Sequence, residues 1–140
     1  MVQFYFLAVF FNLVGGFALA IDGMPRKGPQ LEGLRTFLRD PVVCLVLGIL
    51  TCVTGALKLV TVMRGDIPVV GDFLPAVSAL AVGVTLLLER YRDPNRRPPE
   101  STPPEASRIE SFLLDHRSSV GLAGMISGLV HFLFPMVLFL

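Results

Sequence analysis

The sequence predicts an all-α integral membrane protein: a bundle of four transmembrane helices forming one domain over residues 1–140, with both termini on the non-cytoplasmic side. Three observations carry this expectation. Mean hydropathy is +0.68 and 53% of the residues are apolar, more than the core of a soluble domain of this length requires. The apolar residues come in blocks close to the roughly 20 residues that a helix needs to cross a bilayer. Ten of the twelve Lys and Arg residues fall in two of the connections between those blocks. The blocks also lack the polar face of a helix lying on a soluble core.

The first span is read at residues 2–21. Ala18-Leu19-Ala20 has the look of a small-residue cleavage site, but a secretory signal needs a basic segment ahead of its apolar run. No basic residue precedes Asp22, so a retained helix is expected. The connection 22–41 opens with glycines and prolines and then becomes periodic. Leu31, Leu34 and Leu38 recur at helical spacing with Glu32, Arg35 and Arg39 between them, predicting a short amphipathic helix at the interface that Pro41 closes.

The second span, residues 42–63, holds both cysteines, Cys44 and Cys52. Eight residues along one helix separate them by about 12 Å, beyond disulfide reach, and the spacing matches no zinc or redox motif. The third span is read at residues 67–88. Phe73 to Leu88 alone is 16 residues, roughly 24 Å, so full length requires extension back to Ile67 with Asp72 inside. Between the second and third spans, Gly65-Asp66 and Gly71-Asp72, each followed by a proline, favour irregular backbone. The connection 89–117 contains a proline-rich stretch from Asp93 to Pro104, then Ser107-Arg108-Ile109-Glu110, which has the form of a helix capping box. The fourth span is read at residues 118–140.

Orientation follows from the retention of basic residues on the cytoplasmic side. Residues 22–41 carry Arg26, Lys27, Arg35 and Arg39, and residues 89–117 carry Arg90, Arg92, Arg96, Arg97, Arg108 and Arg117. Both connections are therefore expected in the cytoplasm, with the plasma (inner) membrane as the location. The net charge of +1 comes from interspersed acids and bases, and no basic stripe points to nucleic acid.

The two halves resemble each other. Gly48, Gly55 and Lys58 match Gly121, Gly128 and His131 at a constant offset of 73, and Gly16, Leu19 and Asp22 match Gly83, Leu86 and Glu89 at 67. These offsets predict two tandem helical hairpins related by an axis along the membrane normal. Glycines seven apart stay nearly on one face, and small residues let helices approach closely in lipid. Gly48 with Gly55 and Gly121 with Gly128 are thus the expected helix-packing seams. The Gly48, Gly55 and Lys58 stretch resembles the DoxX-like group of small four-helix membrane proteins over about a dozen residues.

Three ionisable residues form the candidate intramembrane polar site: Lys58, Asp72 and His131. Lys58 and Asp72 are equidistant from a turn at Gly65, which would place them at one depth as an ion pair and relieve the roughly 2.5–3.5 kcal/mol cost of an unpaired charge. His131 reads first as a neutral ring hydrogen-bonded to a neighbouring helix and second as a proton relay. His116 is 15 residues away on the same expected helix, so the two cannot share a haem iron. There is no His-Glu-x-x-His spacing, phosphate loop or nucleophile pattern, so neither enzyme activity nor a cofactor or metal is expected. The expected role is an accessory or scaffolding subunit working through other membrane subunits or self-association. The alternative is a small oligomeric transporter or channel lined by Lys58, Asp72 and His131.

Overall fold

The computed structural model describes residues 2–24, 28–60, 73–91 and 104–134. These form six α-helices with no strand among them: α1 (Val2–Ala20), α2 (Pro29–Leu38), α3 (Pro41–Val60), α4 (Phe73–Tyr91), α5 (Pro104–Asp115) and α6 (Arg117–Leu133). A short 3-10 turn, Ile21–Gly23, extends α1. Three helices are long and apolar enough to cross a membrane: α1 with its 3-10 extension, α3 and α4.

The helix ends differ from the sequence expectation in physically specific ways. The third span gains its length forward, through Glu89 and Arg90 to Tyr91, and the backward extension over Ile67 to Asp72 lies outside the described residues. A polar last turn is tolerated because Glu89 pairs with Arg117 of α6. The fourth span was expected to run to residue 140, but α6 stops at Leu133 after 17 residues, about 25 Å. Phe134 leaves the helix at φ −127°, ψ 64°. It precedes Pro135, whose ring disfavours helical backbone in the residue before it. Residues 135–140 lie outside the described set.

Helix α5 begins at Pro104, not at the Ser107 capping box, and Ser107 lies within it. Proline fits a first helical turn because its missing N–H has no intrahelical acceptor there. Helices α5 and α6 are separated at His116. His116 departs from helical geometry at φ −107°, ψ 21°. Its N–H still donates to the Phe112 carbonyl at 3.1 Å, and the Val120 N–H donates to the His116 carbonyl at 2.9 Å. The chain therefore bends between α5 and α6 while these backbone bonds persist.

The most closely packed helix pairs are α1 with α6 and α3 with α4; α1 also touches α3 and α4, and α4 touches α6. Glycine sets the spacing of both main pairs. A Cβ on Gly16 would lie 2.5 Å from the Gly121 carbonyl oxygen, and one on Gly83 would lie 2.8 Å from the Cys52 nitrogen and 2.9 Å from the Gly48 oxygen. Gly16 and Gly83 are 67 apart in sequence, and Gly48 and Gly121 are 73 apart, the same offsets that relate the two halves. Gly55 lies against Ala76 and Leu80 of α4, and Gly128 against Val9 and Asn12 of α1. Phe11, Leu19, Leu47, Val82 and Leu86 fill the apolar core between these seams.

Gly16→Ala should destabilise the bundle by at least the roughly 1–3 kcal/mol typical of overpacking, because backbone rather than a flexible side chain would have to move. Gly33→Ala, at an exposed helical position with nothing within 4 Å, should be neutral or stabilise by up to about 1 kcal/mol. Thermal unfolding of both variants in one detergent checks the contrast.

Candidate functional site

Among the described residues, three polar layers occur along the bundle. The first joins α3, α6 and the start of α1. Lys58 lies in the last turn of α3 and His131 in the last turn of α6, and both are buried. Their Nζ and Nε2 atoms are 3.3 Å apart. An ammonium only donates, so with Lys58 charged, His131 Nε2 is the acceptor and the neutral ring carries its proton on Nδ1. The Tyr5 hydroxyl donates to the His131 backbone carbonyl at 2.6 Å. Its ring packs against the imidazole with centroids 4.7 Å apart, and the Lys58 ammonium lies 5.6 Å from the Tyr5 centroid, within cation–π range. The structure thus brings Lys58 to His131, two residues that the sequence reading had placed at matching positions of the two halves without joining them. Asp72, the expected partner of Lys58, lies outside the described residues.

The second layer is centred on Asn12, fully buried at mid-length in α1. Its amide donates to the Ala8 carbonyl at 3.1 Å and to the Pro75 carbonyl of α4 at 3.0 Å. The Ser78 hydroxyl donates back to Asn12 Oδ1 at 2.9 Å. Ser78 Oγ is also 3.0 Å from Ser127 Oγ of α6. Since Ser78 has one proton, committed to Asn12, Ser127 can supply the donor for that second contact. Three helices are therefore tied by one amide and two hydroxyls in a low-dielectric interior, where such bonds strengthen and unmade ones are costly. The buried Thr51, Thr54 and Thr85 instead return their hydroxyls to carbonyls four residues back in their own helices, which satisfies each hydroxyl proton locally.

The third layer lies at the far end of α1. Asp22 accepts from Arg39 at 2.6 Å, and Arg117 lies 3.1 Å from it; Arg117 also pairs with Glu89 at the end of α4. The hydrogen bond with Asp22, and then its charge, raise the pKa of the Arg39 guanidinium above its ordinary value. Arg35 was expected among the polar positions of an interfacial helix, yet it is 5% exposed. It is drawn in because its Nη2 donates to the Ile21 carbonyl at 2.5 Å and the Met24 carbonyl at 3.3 Å. A guanidinium there satisfies carbonyls beyond the end of α1 and complements the negative end of the helix dipole.

Sequence reasoning missed Asn12, Tyr5, Ser78 and Ser127. One signal was present: Asn12 is the one amide side chain between Gln3 and Asp22, and an isolated amide in an apolar span needs a partner across a helix. Among the described residues, no cluster of three or more His, Cys, Asp or Glu could hold a metal ion. The cysteines are free; the Cys44 thiol donates to the Leu38 carbonyl at 2.8 Å.

The fold and these layers define a class: an all-helical bundle with candidate membrane-spanning helices and a polar interior. Within it, a family profile matches residues 1–131. The chain is also 30% identical, over the full length of both, to an uncharacterized protein of Treponema pallidum (strain Nichols). The chain belongs to the same protein family as that relative. No solved structure matches.

Asn12→Leu should lower stability by about 1–3 kcal/mol, because α1 loses its hydrogen bonds to Pro75 and Ser78 of α4, which keep only their bond to each other and the Ser78–Ser127 contact. Because Asn12 and Ser78 share one network, the Asn12→Ala/Ser78→Ala double variant should cost less than the sum of its singles. Thermal unfolding of the four proteins measures the coupling.

Proposed function

We propose that the chain is a four-span membrane protein, built from two similar hairpins with both ends on the non-cytoplasmic side, and that it serves as an accessory or scaffolding subunit of a larger membrane complex. The observation that carries the accessory role, among the described residues, is an apolar section of the interior. Leu19, Val82 and Leu86 are buried at 0–1% exposure between the Asn12 layer and the Asp22 layer, and Gly15 and Gly124 seat against Val82. A continuous polar path along the axis would have to pass through this plug. Outside it, α3 presents Leu45, Val46, Ile49, Leu50, Val53 and Leu57 on its exposed side, a surface suited to lipid or to helices of another subunit.

A second reading, a small oligomeric transporter, is favoured by one feature: the Lys58–His131 contact. Ionisable groups facing a bundle interior at membrane depth commonly mark ion or proton pathways. In the accessory reading, the same contact ties the ends of α3 and α6 together.

Native purification from the original membrane with intact-mass analysis should recover a stoichiometric foreign subunit, and Lys58→Met should leave ion flux across reconstituted vesicles unchanged. A clean homo-oligomer whose proton or ion flux falls at least tenfold in Lys58→Met and His131→Leu, with folding retained, would replace the accessory reading with the transporter. For orientation, a cysteine introduced at Arg96 should react with an impermeant maleimide only after the cytoplasmic side is opened.

A further inference from the structure

The two halves are packed alike, contact for contact. Gly16 of α1 meets Met125 of α6 as Gly83 of α4 meets Cys52 of α3, and Gly128 meets Val9 and Leu13 as Gly55 meets Ala76 and Leu80. In each match the α1 and α4 positions differ by 67 and the α3 and α6 positions by 73. Such matched contacts define an approximate two-fold axis between α1 and α4. Two contacts join a residue to its own counterpart, which places them at the axis: Gly15 seats against Val82, and Lys58 Nζ lies 3.3 Å from His131 Nε2. Helices α3 and α6 each pack mainly on α1 and α4, and Lys58 and His131 bring their last turns together.

Like side chains at both positions would face each other across the axis, and two ammoniums so close in a low-dielectric interior repel strongly. The chain holds an unlike pair instead. One ammonium and one neutral imidazole share a hydrogen bond, so the pair accommodates a single positive charge. A second proton removes the acceptor, because a protonated imidazole only donates, and sets two buried cations within 3.3 Å of each other. Tyr5 holds the His131 backbone carbonyl and not the ring nitrogens, so α6 stays tied to α1 while the Lys58 contact is lost. Among the described residues, the ionisable groups facing the imidazole are Lys58 from α3 and Tyr5 from α1. Helix α4 carries none before Glu89, at its other end, and Arg64, Asp66 and Asp72 lie outside the described residues.

We propose that Lys58 and His131 form a proton-sensitive latch on the axis. With one positive charge between them, the ends of α3 and α6 are held together; when acidification adds a second, those ends part. In the orientation proposed above, and resting on it, the latch faces the non-cytoplasmic side and responds to acidity there. The latch itself serves an accessory subunit and a transporter alike.

The test is a distance measurement by pulsed electron spin resonance on the full-length protein in mild detergent. Spin labels go on cysteines introduced at Val60 and Leu133, the exposed last residues of α3 and α6, with Cys44 and Cys52 replaced by serine. From about pH 8 to about pH 5, which brackets the ordinary titration of imidazole, the label distance should lengthen by about 3 Å, the width of one water admitted between the two cations. His131→Gln keeps an acceptor for Lys58 but takes up no proton, and Lys58→Met removes the second cation; each should hold the distance constant over the same range. Circular dichroism and the thermal midpoint establish that each labelled protein is folded, and either variant suffices should the other unfold. Leu59 and Phe132 take the labels should the first pair disturb folding. A distance that stays constant in the labelled parent would overturn the latch, as would an equal lengthening in either folded variant. Detergent exposes both ends to one pH and no foreign subunit is scored, so the latch fails or stands separately from the orientation and the accessory role.

Discussion

The backbone-to-backbone approach of α1 and α6 at Gly16 and Gly121, matched by that of α3 and α4 at Gly83 and Gly48, is the constraint on which the other contacts depend. Hydrogen bonds between short side chains reach only a few ångströms. Tyr5 can reach the His131 carbonyl because α1 and α6 meet at Gly16 and Gly121, and Ser127 can lie 3.0 Å from Ser78 where Gly124 of α6 admits Val82 of α4. A bulkier seam would separate these groups and leave each polar atom buried without its partner, a cost comparable to the bonds themselves. Packing comes first in this bundle, and its polar layers are consequences of it.

Those layers divide the labour along the axis. The Asp22 end uses full charges, where side chains such as Arg39 and Arg117 keep substantial exposure. The middle uses a neutral amide and hydroxyls, which need only a few well-placed partners. The Lys58 end brings back ionisable groups, but deeply buried ones. Between the charged end and the amide lies the Leu19, Val82 and Leu86 plug. The ionisable groups and the Asn12 network join helices, whereas Thr51, Thr54 and Thr85 bond back to their own helices within the apolar packing. Arg35 follows the same logic at smaller scale, fastening α2 to the Ile21 and Met24 carbonyls just beyond α1.

Much of this was legible in the sequence because it depends on local pattern. Apolar block lengths predicted an all-helical protein with four spans, and the described residues hold three helices long and apolar enough to cross a membrane. Pro29 and Pro41 open α2 and α3, consistent with proline as a first-turn residue. The misplaced ends have local causes too: Pro135 stops α6, and Pro104 starts α5 ahead of Ser107. The contacts between helices were hidden for a different reason. Which helix Asn12 meets depends on the order of helices around the bundle, and no spacing within α1 encodes it. Likewise, Lys58 and His131 are 73 residues apart, and their offset marks equivalence between halves without marking contact. Arg35 looked like a solvated position because periodicity distinguishes faces of a helix but does not identify a carbonyl arriving from another segment.

The pairing of α1 with α6 carries a consequence for biosynthesis. The first helix emerges from the ribosome long before the last, yet α6 supplies its closest neighbour. During that interval Gly16 has no Gly121 against it, and Asn12 lacks Ser127 and, earlier still, Pro75 and Ser78. Helices α3 and α4, adjacent in the chain, can pair as soon as both are made, whereas closing the α1–α6 seam is a long-range step of the kind that slows folding. Until α4 and α6 have been made, the nascent first helix is therefore an incomplete surface with an amide exposed that the finished bundle buries.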